Sequence, residues 1–173
     1  MKNTLLLSVI MLLSFFGLQA QNEETANYYN EVQQYSLIYP SFWEVEEDEE
    51  NETTTLYVPL KKGENIYKQL QISVARWEDG DLDEFLEKTF SEDELANLYP
   101  DITILDLGED ETKDNQNHSF EMTYTANEEE IAVLYYLEKK EDLIYLILAS
   151  SPRSEYATYK KQYLRIIDSL RIR

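Results

Sequence analysis

An almost unbroken apolar run, Leu143-Ile144-Tyr145-Leu146-Ile147-Leu148-Ala149, sets the strongest limit on how this chain can fold. A strand with one wet face alternates apolar and polar side chains, because successive residues point to opposite sides. A run without that alternation reads as a strand covered on both faces, the middle of a layered structure. The preceding segments fit the same sheet. Ser119-Phe120-Glu121-Met122-Thr123-Tyr124 has the period-two alternation of a half-buried strand, and residues 131–138 form a second apolar-rich segment. Turns at Glu128-Glu129-Glu130 and Lys139-Lys140-Glu141-Asp142 separate these segments. Connections so short and polar imply an antiparallel meander.

Further strands are expected upstream. In Gln69-Leu70-Gln71-Ile72-Ser73-Val74-Ala75-Arg76 the apolar Leu70, Ile72 and Val74 share one face. Tyr35-Ser36-Leu37-Ile38-Tyr39 reads as a strand ended by Pro40, Phe42-Trp43-Glu44-Val45 resumes extended structure, and residues 53–59 and 102–107 add two more. Two helices interrupt them. Residues 82–98 bring Leu82, Phe85, Leu86, Phe90 and Leu95 to burial, with a second capping box at Ser91-Glu92-Asp93-Glu94 dividing the stretch. Residues 154–170 align Tyr156, Tyr159, Tyr163, Ile166, Ile167 and Leu170 in one apolar stripe. Strands, a helix, more strands and a closing helix predict a single α+β domain, an antiparallel sheet of about six to eight strands sandwiched between helices.

The first residues belong to a different class. Met1-Lys2-Asn3 precedes an apolar stretch ending at Leu18, and Gln19-Ala20 gives way to Gln21-Asn22-Glu23-Glu24. This is the pattern of a cleavable signal peptide over residues 1–20, with the cut between Ala20 and Gln21. The stretch is shorter than the roughly 20 residues a membrane-crossing helix needs, so no stable anchor is expected once it is removed. Residues 21–31 read as a polar leader, and 32–173 as the domain. With no cysteine there is neither a disulfide nor a lipid-modified cysteine. The expected location is the bacterial periplasm or the exterior.

Charge excludes another class. The chain carries 35 acidic against 15 basic residues, a formal net charge of −20. Such a surface repels phosphate backbones, so nucleic acid is not an expected partner. The C-terminal stretch is locally cationic, with Arg153, Lys160, Lys161, Arg165, Arg171 and Arg173 against Glu155 and Asp168. Cations there complement the dipole at a helix C-terminus, and could also form a docking face for an acidic partner.

Catalytic chemistry has little to stand on. His118 is the sole histidine and lies at the mouth of a strand beside Asn117, with no nucleophile-elbow sequence in the chain. One histidine without cysteine offers none of the usual zinc sets. Asp79-Gly80-Asp81-Leu82-Asp83 spaces its acids as calcium loops do, yet Glu84 stands where such a loop needs glycine and Phe90 where it needs the bidentate glutamate. Asp81 capping the helix, with Glu84 completing a capping box, explains the same residues. The acidic run from Glu46 to Glu50 with Glu52, and the triplets Glu109-Asp110-Glu111 and Glu128-Glu129-Glu130, read as solvated turns. No cofactor or metal is expected. Trp43, Trp77, Tyr135 and Tyr136 are the candidates for ligand or partner contact, because large amphipathic rings favour recognition surfaces. Tyr135 and Tyr136 are adjacent on a strand and point to opposite faces.

Three features together resemble the PsbP-like superfamily, which includes the photosystem II extrinsic P subunit, Mog-type Ran-binding proteins and the envelope protein DcrB. They are Tyr39-Pro40-Ser41-Phe42-Trp43 opening the domain, Leu82-Asp83-Glu84-Phe85-Leu86 starting the middle helix, and Ile166-Ile167-Asp168-Ser169-Leu170 ending the last one. Phe42 departs from the glycine more usual before the tryptophan. The resemblance implies a sheet between helices and a non-enzymatic accessory or binding role, with no catalytic set to carry over. The partner would be another envelope or secreted protein. The rival reading is a small-molecule or calcium-binding module with a pocket between sheet and helix, and a third is a carboxylate-based hydrolase.

Overall fold

The computed structural model describes residues 24–78, 80–91, 94, 95, 97, 99, 101–106 and 117–173. The expected signal peptide and cleavage site at Ala20 and Gln21, the first residues of the expected polar leader, Asp79, the interior of the Ser91 capping box and the acidic triplet at 109–111 lie outside them. The elements run β1 (Thr25–Asn30), β2 (Tyr35–Pro40), β3 (Glu44–Asp48), β4 (Thr53–Val58), β5 (Lys68–Arg76), α1 (Leu82–Thr89), β6 (Thr103–Asp106), β7 (Asn117–Ala126), β8 (Glu129–Lys140), β9 (Leu143–Pro152), α2 (Arg153–Asp168) and β10 (Arg171–Ile172). They build a seven-stranded sheet, β3-β4-β5-β9-β8-β7-β6, and a three-stranded one, β1-β2-β10. The pairings are antiparallel; β7 to β9 form the expected meander, and β6 adds to its edge on β7.

The apolar run lies on β9, between β5 and β8, and its alternation serves two cores. Tyr145, Ile147 and Ala149 join Leu70 and Ile72 of β5, Ala132 and Leu134 of β8, and the stripe of α2. Ile144, Leu146 and Leu148 join Val133, Tyr135 and Leu137 of β8 and Leu82 and Phe85 of α1. Helices on both faces account for a strand with no wet side, and the architecture is the α+β sandwich expected. Each large side chain buried in these cores contributes about 1.5–3 kcal/mol.

The helices end where local chemistry dictates. The Asp81 carboxylate accepts the Glu84 amide at 3.0 Å and caps α1. The helix stops at Thr89 rather than running to 98, and the Ser91 hydroxyl then accepts the Glu94 amide at 3.3 Å. Helix α2 docks through its tyrosines: Tyr156 donates to Glu121 on β7 at 2.9 Å, Lys160 pairs with the same carboxylate, and Tyr163 donates to the Ser150 carbonyl at 2.6 Å.

Other expectations change as well, and Lys139 and Lys140, read as part of a turn, belong to β8. Residues Thr25–Asn30, read as polar leader, form β1 and pair with the whole of β2. The acidic run does not begin as a turn: Glu46, Glu47 and Asp48 extend β3, an edge strand whose charges face water. The turn between β7 and β8 is Asn127-Glu128, both at positive φ (52° and 67°), and Glu129 and Glu130 already pair with Ala126 and Thr125.

Candidate binding face

The three-stranded sheet positions the candidate site. In β1 and β2 the register sets Tyr28 opposite Leu37 and Tyr29 opposite Ser36. Tyr28 and Leu37 face the core, which leaves Asn27, Tyr29, Ser36 and Ile38 on the outer face. Strand β10 completes that face with Arg171 opposite Ser36. Arg173 is held at two points. The Arg173 amide donates to the Gln34 carbonyl at 2.9 Å, and its guanidinium lies 4.8 Å over the Tyr29 ring. Arg171 donates through Nη1 to the carbonyls of Asp168 and Leu170 at 3.0 and 2.6 Å, and Lys140 donates to the Ile172 carbonyl at 2.8 Å. Ser169 Oγ accepts the Ile38 amide at 2.8 Å, closing the rest of the β2 edge. The result is a shallow groove of about 290 Å³ between the Tyr29 ring, Ile38 and the two arginines. Tyr29 and Ile38 are 38% and 44% exposed there, enough for their apolar surfaces to meet a partner.

A second cleft of about 470 Å³ lies on the other side of Tyr29, where the β1–β2 turn meets the β3–β4 hairpin. Its polar wall is anionic, with Glu31, Glu47, Asp48, Glu49 and Glu52. Several of these groups are already engaged. Tyr28 donates to Glu47 at 2.7 Å, and burial raises its hydroxyl above the ordinary tyrosine value despite the bond to Thr54. Asp48 accepts the Asn51 side chain at 2.7 Å together with the Asn51 and Glu50 amides, and these bonds hold its carboxyl below the usual carboxylate range. Among the described residues no three His, Cys, Asp or Glu side chains converge to hold a metal ion.

The four sequence-derived contact candidates stand elsewhere and are not brought together. Trp43 is 3% exposed and packs edge-on to Tyr163, at 6.0 Å between ring centres. Tyr135 is 4% exposed and stacks on Phe120 at 4.6 Å with 8° between planes. Both are core residues, so neither ring meets a partner, and their burial follows from the helices that cover each face. Tyr136 lies half-buried on the opposite face and donates to Glu138 at 3.1 Å. Burial raises the hydroxyls of both Tyr135 and Tyr136 well above the ordinary tyrosine value. Trp77 is half-buried on the α1 face, edge-on to Phe85 at 5.3 Å, with the Lys88 ammonium 4.8 Å over its ring. His118 sits on β7 opposite Leu137, its ring 6.3 Å from Phe120.

The cationic tail signalled the outer face, because Arg171 and Arg173 stand out against an acidic chain. Tyr29 was hidden in the segment read as leader, and only the β1–β2 pairing brings it under Arg173.

No protein-family model matches the chain, and no curated protein matches it significantly. Solved structures do. The chain is similar to cyanobacterial PsbP, CyanoP, from Synechocystis sp. PCC 6803, with a TM-score of 0.59 at 10% identity over 90% of this chain and 96% of that one. It is also similar to LpqN of Mycobacterium tuberculosis, involved in cell envelope biogenesis, with a TM-score of 0.50 at 12% identity over 89% and 87%. A Bacteroides thetaiotaomicron protein aligns with a TM-score of 0.51 at 14% identity, over 85% of this chain and 48% of its own. The fold is PsbP-like.

Proposed function

We propose that this protein is a non-enzymatic accessory protein of the bacterial periplasm or cell exterior, which works by holding another envelope or secreted protein against the outer face of its small sheet. The observation that carries the reading is Arg173. In a chain of net charge −20, this guanidinium is mounted on an exposed aromatic ring, and among the described residues no carboxylate pairs with it. The signal-peptide pattern supports the location, as does the likeness to an envelope-biogenesis protein. The acidic cleft supports a calcium-binding reading less well, because Glu47 and Asp48 already accept bonds from Tyr28 and Asn51.

The test is affinity capture of the tagged mature protein from its native envelope fraction, with and without a calcium chelator. Recovery of one partner in near-equal amount supports the reading. Loss of that partner on chelation would transfer support to the calcium module. Recovery of the protein alone under both conditions overturns the accessory role.

A further inference from the structure

The accessory reading names a face but not what that face recognises. Resting on that reading, we infer that the β1-β2-β10 face binds an extended acidic segment of a partner protein, with Arg171 and Arg173 taking its carboxylates and Tyr29 and Ile38 an adjoining apolar side chain.

The two arginines do different work. Arg171 is accounted for by the fold, since its Nη1 donates to two carbonyls at the end of α2. Cations at a helix C-terminus are stabilising there, so Arg171 alone would argue nothing. Arg173 lies beyond the helix and reaches none of its carbonyls among the described contacts. Its backbone is fixed by Gln34 and its guanidinium by the Tyr29 ring. A guanidinium over a ring uses part of its charge on the π face and keeps N–H groups available to a carboxylate. Such a group is pre-ordered, so binding a carboxylate costs it little side-chain freedom. Three other cations do meet carboxylates: Lys68 has Glu64 and Glu155, Arg76 has Glu78, and Lys160 has Glu121.

The shape of the surroundings decides between a segment and a broad anionic surface. Tyr29 lines both the basic groove and the acidic cleft, so the wall with Glu31, Glu47 and Asp48 borders the same aromatic residue that Arg173 meets. A membrane or other broad anionic body covering this face would also meet those carboxylates, whose repulsion is screened only over about 8 Å. A single extended strand can lie along the groove and meet the arginines alone. The exposed parts of Tyr29 and Ile38 give it an apolar shoulder, so the matching segment carries an aliphatic or aromatic residue beside its acids.

The experiment is a titration of the isotope-labelled mature protein, followed by amide chemical shifts. The probes are a peptide of alternating glutamate and valine, the same peptide with glutamine for glutamate, and phosphatidylglycerol vesicles. The glutamate peptide is expected to shift the amides of Tyr29, Ser36, Ile38 and Ser169. Arg173→Ala, a change outside every strand and helix, should weaken its binding about tenfold, with Arg173→Lys in between. Equal binding of the glutamine peptide, shifts centred on the acidic cleft, an unaffected Arg173→Ala, or binding of vesicles but not peptide would each overturn the assignment. So would concentration-dependent self-association abolished by Arg173→Ala, which would make the occupant a second copy. The two readings fail separately. If Arg173→Ala still captures the partner from the envelope, the face assignment falls and the accessory role stands. If capture recovers nothing, the accessory role falls while the titration still decides what the face can hold.

Discussion

On one face of the seven-stranded sheet a helix of 16 residues packs among hydrogen-bonded tyrosines; on the other a helix of 8 residues is joined by aromatic rings that meet mostly edge-on. The first face is directional. Tyr35 donates to Thr54 at 2.8 Å, Tyr145 to the Gln33 carbonyl at 2.9 Å, Tyr156 to Glu121 at 2.9 Å and Tyr163 to the Ser150 carbonyl at 2.6 Å. Each bond fixes one element against another, and together they tie α2 and the small sheet to the large one. The second face is held by ring contacts, with Phe90 at 5.4 Å from Phe120, 5.2 Å from Tyr135 and 6.4 Å from Phe85. Ring packing tolerates small displacements that a hydrogen bond does not. The tyrosine-bonded face is therefore the rigid one, and it is the one that carries the candidate binding face through β2 and β10.

The largest test of that contrast is Tyr163→Ala. The residue is fully buried, and its loss removes the ring against Trp43 as well as the bond to Ser150. A cost of about 3–5 kcal/mol is expected in urea unfolding. Phe90→Ala, from the centre of the opposite cluster, should cost about 2 kcal/mol, because Phe90 is half-buried and its neighbours still touch one another. Equal costs would erase the difference between the faces.

The same contrast governs what could be seen in the sequence. The two-sided strand β9 and the stripe of α2 were legible because a period of two or 3.6 fixes which side chains are buried, whatever covers them. Strand β1 was not. Its pattern of alternating exposed and half-buried residues contains no apolar face of its own, and its extended form comes from pairing with β2. The start of the acidic run was misread for the related reason that an edge strand places charges where a turn would. Arg171 and Arg173 are visible as a cationic tail that suits either the helix dipole or a docking face for an acidic partner, and the bonds of Arg171 to the end of α2 fit the first. The role of Arg173 depends on Tyr29, a partner remote in sequence, and no local pattern contains it. The aromatic candidates failed in the opposite sense: Trp43 and Tyr135 have the chemistry of recognition, and the cover over each face places them inside.

A smaller test is confined to the second face. Asp81→Ala removes the cap of α1 and should cost about 1 kcal/mol. Hydrogen exchange should quicken within α1 while α2 keeps its protection, because the two helices share no sheet face. Equal acceleration in both would show that the faces open together and that the distinction between them is only geometric.

The smallest expected effect is a change in pH dependence, and Lys68 supplies it on the α2 side. Its ammonium is 2.9 Å from Glu64 and 3.4 Å from Glu155. Burial works against the charge, and the two carboxylates outweigh it, raising Lys68 above its ordinary value of 10.5. A raised lysine stabilises the fold fully below its unfolded value and loses that contribution as pH climbs through the folded one. The buried tyrosines move the same way, since burial favours their neutral form and raises them above 10.0, and Tyr35, Tyr156 and Tyr163 lie on this face against Tyr135 on the other. Stability should thus fall above about pH 10, the range in which unfolded tyrosine and lysine titrate. Lys68→Met should flatten the part of that fall above the lysine value and leave the tyrosine part, read as tyrosinate absorbance rising together with loss of the strand signal. The effect is modest because Glu155 is 44% exposed and water screens it. An unchanged alkaline limb in the variant would mean that Lys68 contributes packing alone, and that the charge holding α2 to the sheet resides in Glu121 and Lys160.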